Sequence, residues 1–158
     1  MAHSWVQLFN SEYEAFKAYA KHYPHASTFL VDTFDTLNSG VPNAIKAIKE
    51  VLLPLKAKNY AIRIDSGDLT YLSKQARIML DEAGLKDCKI VVSNALDERL
   101  IQTLINQGAA IDLFGVGERL ITAKSDPVFG SVYKLVAVEE NNKVIPKIKI
   151  SDNIEKIT

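Results

Sequence analysis

The stretch Tyr60-Ala61-Ile62-Arg63-Ile64-Asp65-Ser66-Gly67-Asp68 decides the fold. A mostly apolar run, broken only by Arg63, ends abruptly in two carboxylates and a glycine. Behind it, Leu69 to Ala83 places Leu72, Ala76, Met79 and Leu80 on one side at helical spacing, and Gly84 stops the pattern. A short apolar strand, a polar end and an amphipathic helix make one β-then-α unit.

The same unit recurs on either side. Upstream, Thr28–Val31 reads as a strand ending at Asp32-Thr33-Phe34-Asp35-Thr36. A helix is expected from about Pro42 to Lys56, with Ile45, Ile48, Leu52 and Leu55 apolar and Pro54 disturbing its end. Downstream, Lys89–Val92 ends at Ser93-Asn94, and a helix from Leu96 to Asn106 stops at Gly108. Ala110–Phe114 then ends at Gly115-Val116-Gly117, with a short helix or loop from Glu118. Before the first unit, Ser11 and Glu14 make a capping box for a helix from Ser11 to Lys21, which Pro24 ends. After the last, two extended runs, Ser131–Glu139 and Val144–Ile150, flank Asn141-Asn142, a hairpin signal.

Strands alternating with helices pair in parallel through right-handed crossovers. Their C-terminal ends then share one edge, where α/β sheets and barrels bind ligands. Asp32, Asp65, Ser93 and Gly115 mark four such ends, separated by 33, 28 and 22 residues. The sequence thus delivers carboxylates, an arginine, Ser-Asn and Gly-x-Gly to one rim.

Composition narrows the class. The 158 residues are 47% hydrophobic and 24% charged, which suits one globular domain over residues 1–158. Lys+Arg and Asp+Glu are 19 each, so no global field draws nucleic acid or an anionic membrane. A single cysteine, Cys88, cannot form an internal bridge and fits a reducing compartment. No apolar run reaches bilayer length, and the first residues lack a secretory pattern. The expectation is a soluble, cytoplasmic protein.

Each rim feature has a chemical and a structural reading. Gly115-Val116-Gly117 either offers backbone N–H groups to an anion, helped by Arg119, or is plain turn chemistry. It is not a dinucleotide fingerprint, since Leu120 stands where the third glycine belongs. Alternation puts Arg63 and Asp65 on one side of their strand. Arg63 can grip a carboxylate or phosphate or stack on a ring, and Asp65 can hold ribose hydroxyls, a hydrated metal or Arg63 itself. The structural alternative is an ion pair, with Asp68 capping the following helix. Asp32 and Asp35 repel unless a cation or arginine lies between them, or serve an Asx-type turn. His3 offers a nucleophile or base, or is incidental. His22 and His25 read as surface residues, Cys88 as a buried small side chain, and Lys143, Lys147 and Lys149 as a solvated strand face. Lys134 is a Schiff-base candidate set against a salt bridge. Nothing has zinc-ligand spacing.

Taken together, Ala2–Val6, Val31–Gly40, Ile62–Asp68, Ser93-Asn94, Phe114–Gly117 and Val132–Val136 resemble the nicotinate phosphoribosyltransferases in order and spacing. The pairing of Arg63-Ile64-Asp65-Ser66-Gly67-Asp68 with Asp32-Thr33-Phe34-Asp35-Thr36 is the specific part. The resemblance implies a partial, irregular, TIM-like α/β barrel of the type II phosphoribosyltransferases, commonly dimeric. It implies ATP-assisted transfer of phosphoribosyl from phosphoribosyl pyrophosphate to nicotinate in NAD salvage, with Mg2+ required and ATP as co-substrate. His3 takes the position that ATP phosphorylates transiently, with Asp65 the second catalytic candidate. Arg63 is expected against the pyridine ring or its carboxylate, Asp32 and Asp35 at the ribose-pyrophosphate and its magnesium, and Ser93, Asn94, Gly115 and Gly117 at the 5′-phosphate.

The chain departs from the family at Ala95, where Asp is commoner, at Gly130-Ser131, where a glycine pair is commoner, and at Glu118, commonly Thr. An acid at Glu118 opposes phosphate unless it points away. A complete barrel takes about 250 residues, so the chain reads as a fragment with exposed sheet edges that favour a homodimer. Three alternatives stand beside the enzyme: an inactive phosphate-binding or oligomerisation unit, a Schiff-base barrel enzyme using Lys134, and the sister activities on nicotinamide or quinolinate.

Overall fold

The computed structural model describes residues 1–131 and 133–147. Two compact units emerge, Met1–Ser125 and a second beginning at Asp126.

The first unit holds a four-stranded parallel sheet in the order β1-β2-β3-β4. Its strands are β1 (Ser27–Leu30), β2 (Tyr60–Ile64), β3 (Lys89–Val92) and β4 (Leu113–Phe114). Register runs Phe29↔Ile62↔Ile90 and Leu30↔Arg63↔Val91↔Leu113. β2 and β3 keep the boundaries expected from sequence. Phe29, Ile62, Ile64, Ile90 and Val92 are fully buried, in one core with Phe16 and Leu80. Burying side chains of this size stabilises by roughly 1.5–3 kcal/mol each. Of the alternate positions, Thr28, Arg63 and Val91 are half-buried and Leu113 is exposed, while Leu30 is buried. Helices therefore cover one sheet face more completely than the other.

The helices α1 (His3–Gln7), α2 (Glu12–His22), α3 (Val41–Ala47), α4 (Leu69–Glu82), α5 (Glu98–Asn106) and α6 (Glu118–Ile121) follow in chain order. Ser11 caps α2 by accepting the Glu14 N–H, and Asp68 caps α4 by accepting that of Tyr71. The capping expected of both residues is present. α1 has no capping side chain at Ala2, so the sequence carries no start signal for it.

The expected strand over Ser131–Glu139 begins only at Ala137, and three expected elements of the first unit also differ. The helix expected from Pro42 begins at Thr36, because Thr36–Gly40 and Ile48–Leu52 are π-helical turns flanking α3. It ends at Leu52, before Pro54, which leaves Leu55 exposed rather than on the core face. The helix after β3 starts at Glu98, since Asp97 accepts the Leu100 N–H and ends the preceding turn. β4 shrinks to two residues because side chains take over part of its ladder: Ala110 N–H donates to Ser73 Oγ, and the Asp112 carboxylate accepts the Ile90 N–H at 2.8 Å, while the Asp112 N–H still donates to Ile90 O.

The second unit contains an antiparallel hairpin, β5 (Ala137–Glu140) and β6 (Lys143–Pro146). Asn141 and Asn142, where the sequence signalled a hairpin, both have positive φ, 51° and 59°, as a type I′ turn requires. Lys134 lies outside both strands, Lys143 and Lys147 are exposed, and Lys149 and the end of the expected run to Ile150 lie outside the described residues. Cys88 is buried as expected. Burial pushes its thiol up to about 12, so it stays protonated and unreactive.

Candidate active site

Parallel pairing continues one step past each strand. Val31 N–H donates to Arg63 O (3.1 Å), Ser93 N–H to Ile64 O (3.1 Å) and Gly115 N–H to Val92 O (2.7 Å). These bonds set Asp32, Asp65, Ser93 and Gly115 along one edge, as the repeated units predict.

Side chains then link the strand ends. His3 Nε2 lies 3.2 Å from Asp32 Oδ1. Asp32 Oδ2 accepts the Asp65 N–H (2.9 Å) and the Ser66 hydroxyl (2.5 Å). Asp65 Oδ1 accepts the Ser93 hydroxyl and lies 3.4 Å from Arg63 Nη2. Arg63 Nη1 reaches Met1 O at 3.4 Å, while its Nε is buried with no partner. The Asp32 side chain is only 1% exposed, whereas His3 and Arg63 are 40% and 32% exposed. A buried carboxylate persists only when bonded, and Asp32 has three donors around it. His3, Asp32, Arg63, Asp65 and Ser93 are thus one connected network.

Other expected residues stand apart from it. Asp35 caps the Thr36–Gly40 turn, accepting the Leu37 and Asn38 N–H groups and the Asn38 side-chain amide. The Asx-type alternative holds for this residue. Gly115 approaches so closely that a Cβ there would lie 3.2 Å from Ser93 Cβ, and its N–H belongs to the sheet. Gly117 is open and precedes α6, and Glu118 is exposed in the first turn of that helix. Asn94 and Ala95 are both left-handed, φ 87° and 48°, an uncommon pair for non-glycine residues. They line a cleft of about 460 Å³ with Ser66, Gly67, Asp68 and Arg119.

Sequence reasoning missed Ser66 as a partner of Asp32 and missed the Asp97–Arg119 ion pair. Ser66 could have been found, since it follows Asp65 directly at the same rim. The ion pair joins residues 22 positions apart in different units of the repeat, and no spacing rule signals it.

A magnesium ion at this rim would take most of its ligands from water and substrate phosphates rather than from a protein cage. Asp35 is engaged in capping and Asp32 in the rim network, and the described residues contain no group of three ligating side chains.

Three carboxyls are held below the usual range. Bonds from the Asn38 side chain and backbone lower Asp35, and the Leu100 N–H and then Arg119 lower Asp97. At Asp112, burial pushes upward but is outweighed by the Ile90 N–H and Lys89. A depressed folded pKa stabilises above the unfolded value, near 4, and that contribution fades as pH falls through the folded value. Urea midpoints are therefore expected to fall below about pH 4, with a shallower decline in Asp97→Asn. Equal slopes in the variant and the parent would contradict the assignment at Asp97.

No family model matches the chain. Among curated proteins, it is 54% identical to nicotinate phosphoribosyltransferase of Bacillus subtilis, over 99% of this chain and 31% of that protein. It is 43% identical to nicotinate phosphoribosyltransferase of Dictyostelium discoideum, over 94% of this chain and 26% of that one. Among solved structures, human nicotinic acid phosphoribosyltransferase aligns with a TM-score of 0.59 at 32% identity, covering 66% of this chain and 22% of that one. Nicotinate-nucleotide pyrophosphorylase from Pyrococcus furiosus aligns at 0.56 and 26% identity, covering 74% and 29%. The chain spans about a third or less of the length of these relatives. By sequence over nearly its whole length, and by fold over about two thirds of it, the chain is similar to one part of the nicotinate phosphoribosyltransferases.

Proposed function

We propose that the chain carries the ATP-assisted half of a nicotinate phosphoribosyltransferase site. In the reaction the pyridine nitrogen of nicotinate bonds to C1′ of phosphoribosyl pyrophosphate. The C1′–O bond breaks, and nicotinate mononucleotide and pyrophosphate result. The observation that carries this reading is the network from His3 through Asp32 and Asp65 to Ser93 at one sheet edge, in a relative of enzymes so named.

The chemistry follows from the contacts. A carboxylate only accepts, so against Asp32 the neutral His3 ring carries its proton on Nε2 and keeps a free lone pair on Nδ1. Nδ1 attacks the terminal phosphorus of ATP, ADP leaves, and Asp32 steadies the positive charge on the ring. Arg63, whose side chain is partly open to solvent, meets the nicotinate carboxylate. Asp65 orients Arg63 and meets ribose hydroxyls. Ser93, Asn94 and Gly117 face the 5′-phosphate, beside Gly115, whose lack of a side chain keeps the approach open. Magnesium belongs to this reading as a counterion of the substrate phosphates and not as an ion caged by Asp32 and Asp35.

The four-stranded sheet is part of an irregular α/β barrel within one phosphoribosyltransferase domain of residues 1–158. A homodimer active in cytoplasmic NAD salvage completes the reading. No helix among the described residues is long and apolar enough to cross a membrane.

Incubation with ATP labelled in its terminal phosphate tests the proposal. Acid-labile label is expected on the chain, absent from His3→Ala and retained in His22→Ala. Label that survives His3→Ala, or a wild-type chain that takes up none, overturns the phosphohistidine step. Binding of phosphoribosyl pyrophosphate without label would favour the inactive phosphate-binding unit.

A further inference from the structure

The segment after β4 has little to hold it. Its pairing with β3 covers two residues, Val91↔Leu113 and Val92↔Phe114. The helix that follows, α6, buries no residue, and Leu120 and Ile121 are 68% and 82% exposed. Apolar burial, which fixes most helices, is therefore missing here.

One side-chain tie takes its place. The Arg119 guanidinium, from the second position of α6, donates to Asp97 Oδ2. Asp97 is anchored in its turn, because its other oxygen accepts the Leu100 N–H at 2.8 Å and caps α5. Both partners are half-buried, and the Arg119 Nε is shielded from solvent with no partner. Arg119 also stands between two clefts. One, of about 460 Å³, is lined by Ser66, Gly67, Asn94 and Ala95, and the other, of about 430 Å³, by Asp97, Glu98 and Lys124.

We infer that the Asp97–Arg119 ion pair is a latch that positions the Gly115–Gly117 loop beside Ser93. Asp97 and Arg119 act as positioning residues for the phosphate end of the substrate. The consequence for ligand rests on the proposed function, whereas the latch itself does not. With the tie in place, the loop stays in the conformation in which Gly115 lies against Ser93. With the tie broken, the loop beyond Phe114 is held by the Gly115 N–H bond to Val92, next to the two-residue ladder and the Asp112–Ile90 bonds that precede it. A ligand that needs the ordered loop then binds more weakly, in proportion to the fraction still ordered.

Asp97→Asn separates the two duties of this residue. Asparagine caps a helix as well as aspartate does but cannot form the ion pair. Arg119→Lys keeps the charge and loses the planar fork. Hydrogen exchange of the amides from 117 to 121 reads the latch directly. About tenfold faster exchange there in Asp97→Asn, with amides of β2 unchanged, is expected. Unchanged exchange at these amides overturns the latch. Calorimetry on the whole chain then reads the ligand. Affinity for phosphoribosyl pyrophosphate should drop about tenfold in both variants, while affinity for nicotinate alone stays within about twofold of wild type. Equal losses for both ligands would indicate general damage and overturn the positioning role. A wild-type chain that binds no phosphoribosyl pyrophosphate would defeat the functional reading, while exchange would still decide the latch.

Discussion

Gly40→Ala is expected to prevent stable folding of the first unit. A Cβ built on Gly40 would lie 1.8 Å from Val31 O and 2.6 Å from Val31 C. Both are backbone atoms, so no side chain can swing aside. Neither wall can retreat. Val31 N–H is bonded to Arg63 O, and the Gly40 N–H donates to Asp35 O at 2.8 Å, closing the π-helical turn. Overpacked cores usually lose 1–3 kcal/mol, and a clash against fixed backbone on both sides should exceed about 3 kcal/mol. That is a large part of the 5–15 kcal/mol that holds a typical domain together. Gly130→Ala provides the comparison, since nothing lies within 4 Å of a Cβ there and no left-handed φ is involved. It should change stability by less than about 0.5 kcal/mol. Thermal and urea unfolding followed by circular dichroism would separate the two variants. A Gly40→Ala chain melting with wild type would disprove the close approach. Any residual folded population should also show a displaced Asp32, because Val31 is its neighbour in the chain.

The same contact explains why part of the fold was readable and part was not. β2 and β3 could be bounded from sequence because their apolar runs are flanked by unmistakable polar ends, Asp65 and Ser93, and their helices by Asp68 and Gly84. The rim followed from topology alone, since parallel strands with right-handed crossovers must align Asp32, Asp65 and Ser93. The Thr36–Gly40 turn left no such signature. It depends on Asp35 capping from outside and on Gly40 packing against a carbonyl nine positions earlier, both tertiary facts. β4 was overextended because Asp112 imitates the backbone, taking the Ile90 N–H that a longer ladder would have used. Residue types at the site were legible, but their commitments were not. Two aspartates three positions apart look equivalent in sequence, yet Asp32 serves the network and Asp35 serves a turn.

That difference makes Asp32→Asn the most informative substitution at the site. The residue is buried and meets His3 Nε2 on one oxygen, and the Asp65 N–H and Ser66 hydroxyl on the other. An asparagine has one accepting oxygen and one donating nitrogen for these two sides. Turning its nitrogen toward Asp65 would set two N–H donors face to face and leave a buried group unsatisfied, at about 1–3 kcal/mol. The favoured arrangement keeps the oxygen on Asp65 and Ser66 and turns the amide nitrogen to His3. The amide then donates to Nε2, the ring proton moves to Nδ1, and the lone pair proposed to attack ATP is lost. A misassigned tautomer of this kind costs about 10⁴-fold in a serine protease triad, and a loss of roughly a thousandfold or more is expected in the rate of His3 labelling. Binding of phosphoribosyl pyrophosphate should remain close to wild type, because the Asp65–Ser93 contact is preserved. Labelling of Asp32→Asn at the wild-type rate, in a variant that unfolds at the wild-type midpoint, would show that Asp32 does not set the tautomer of His3.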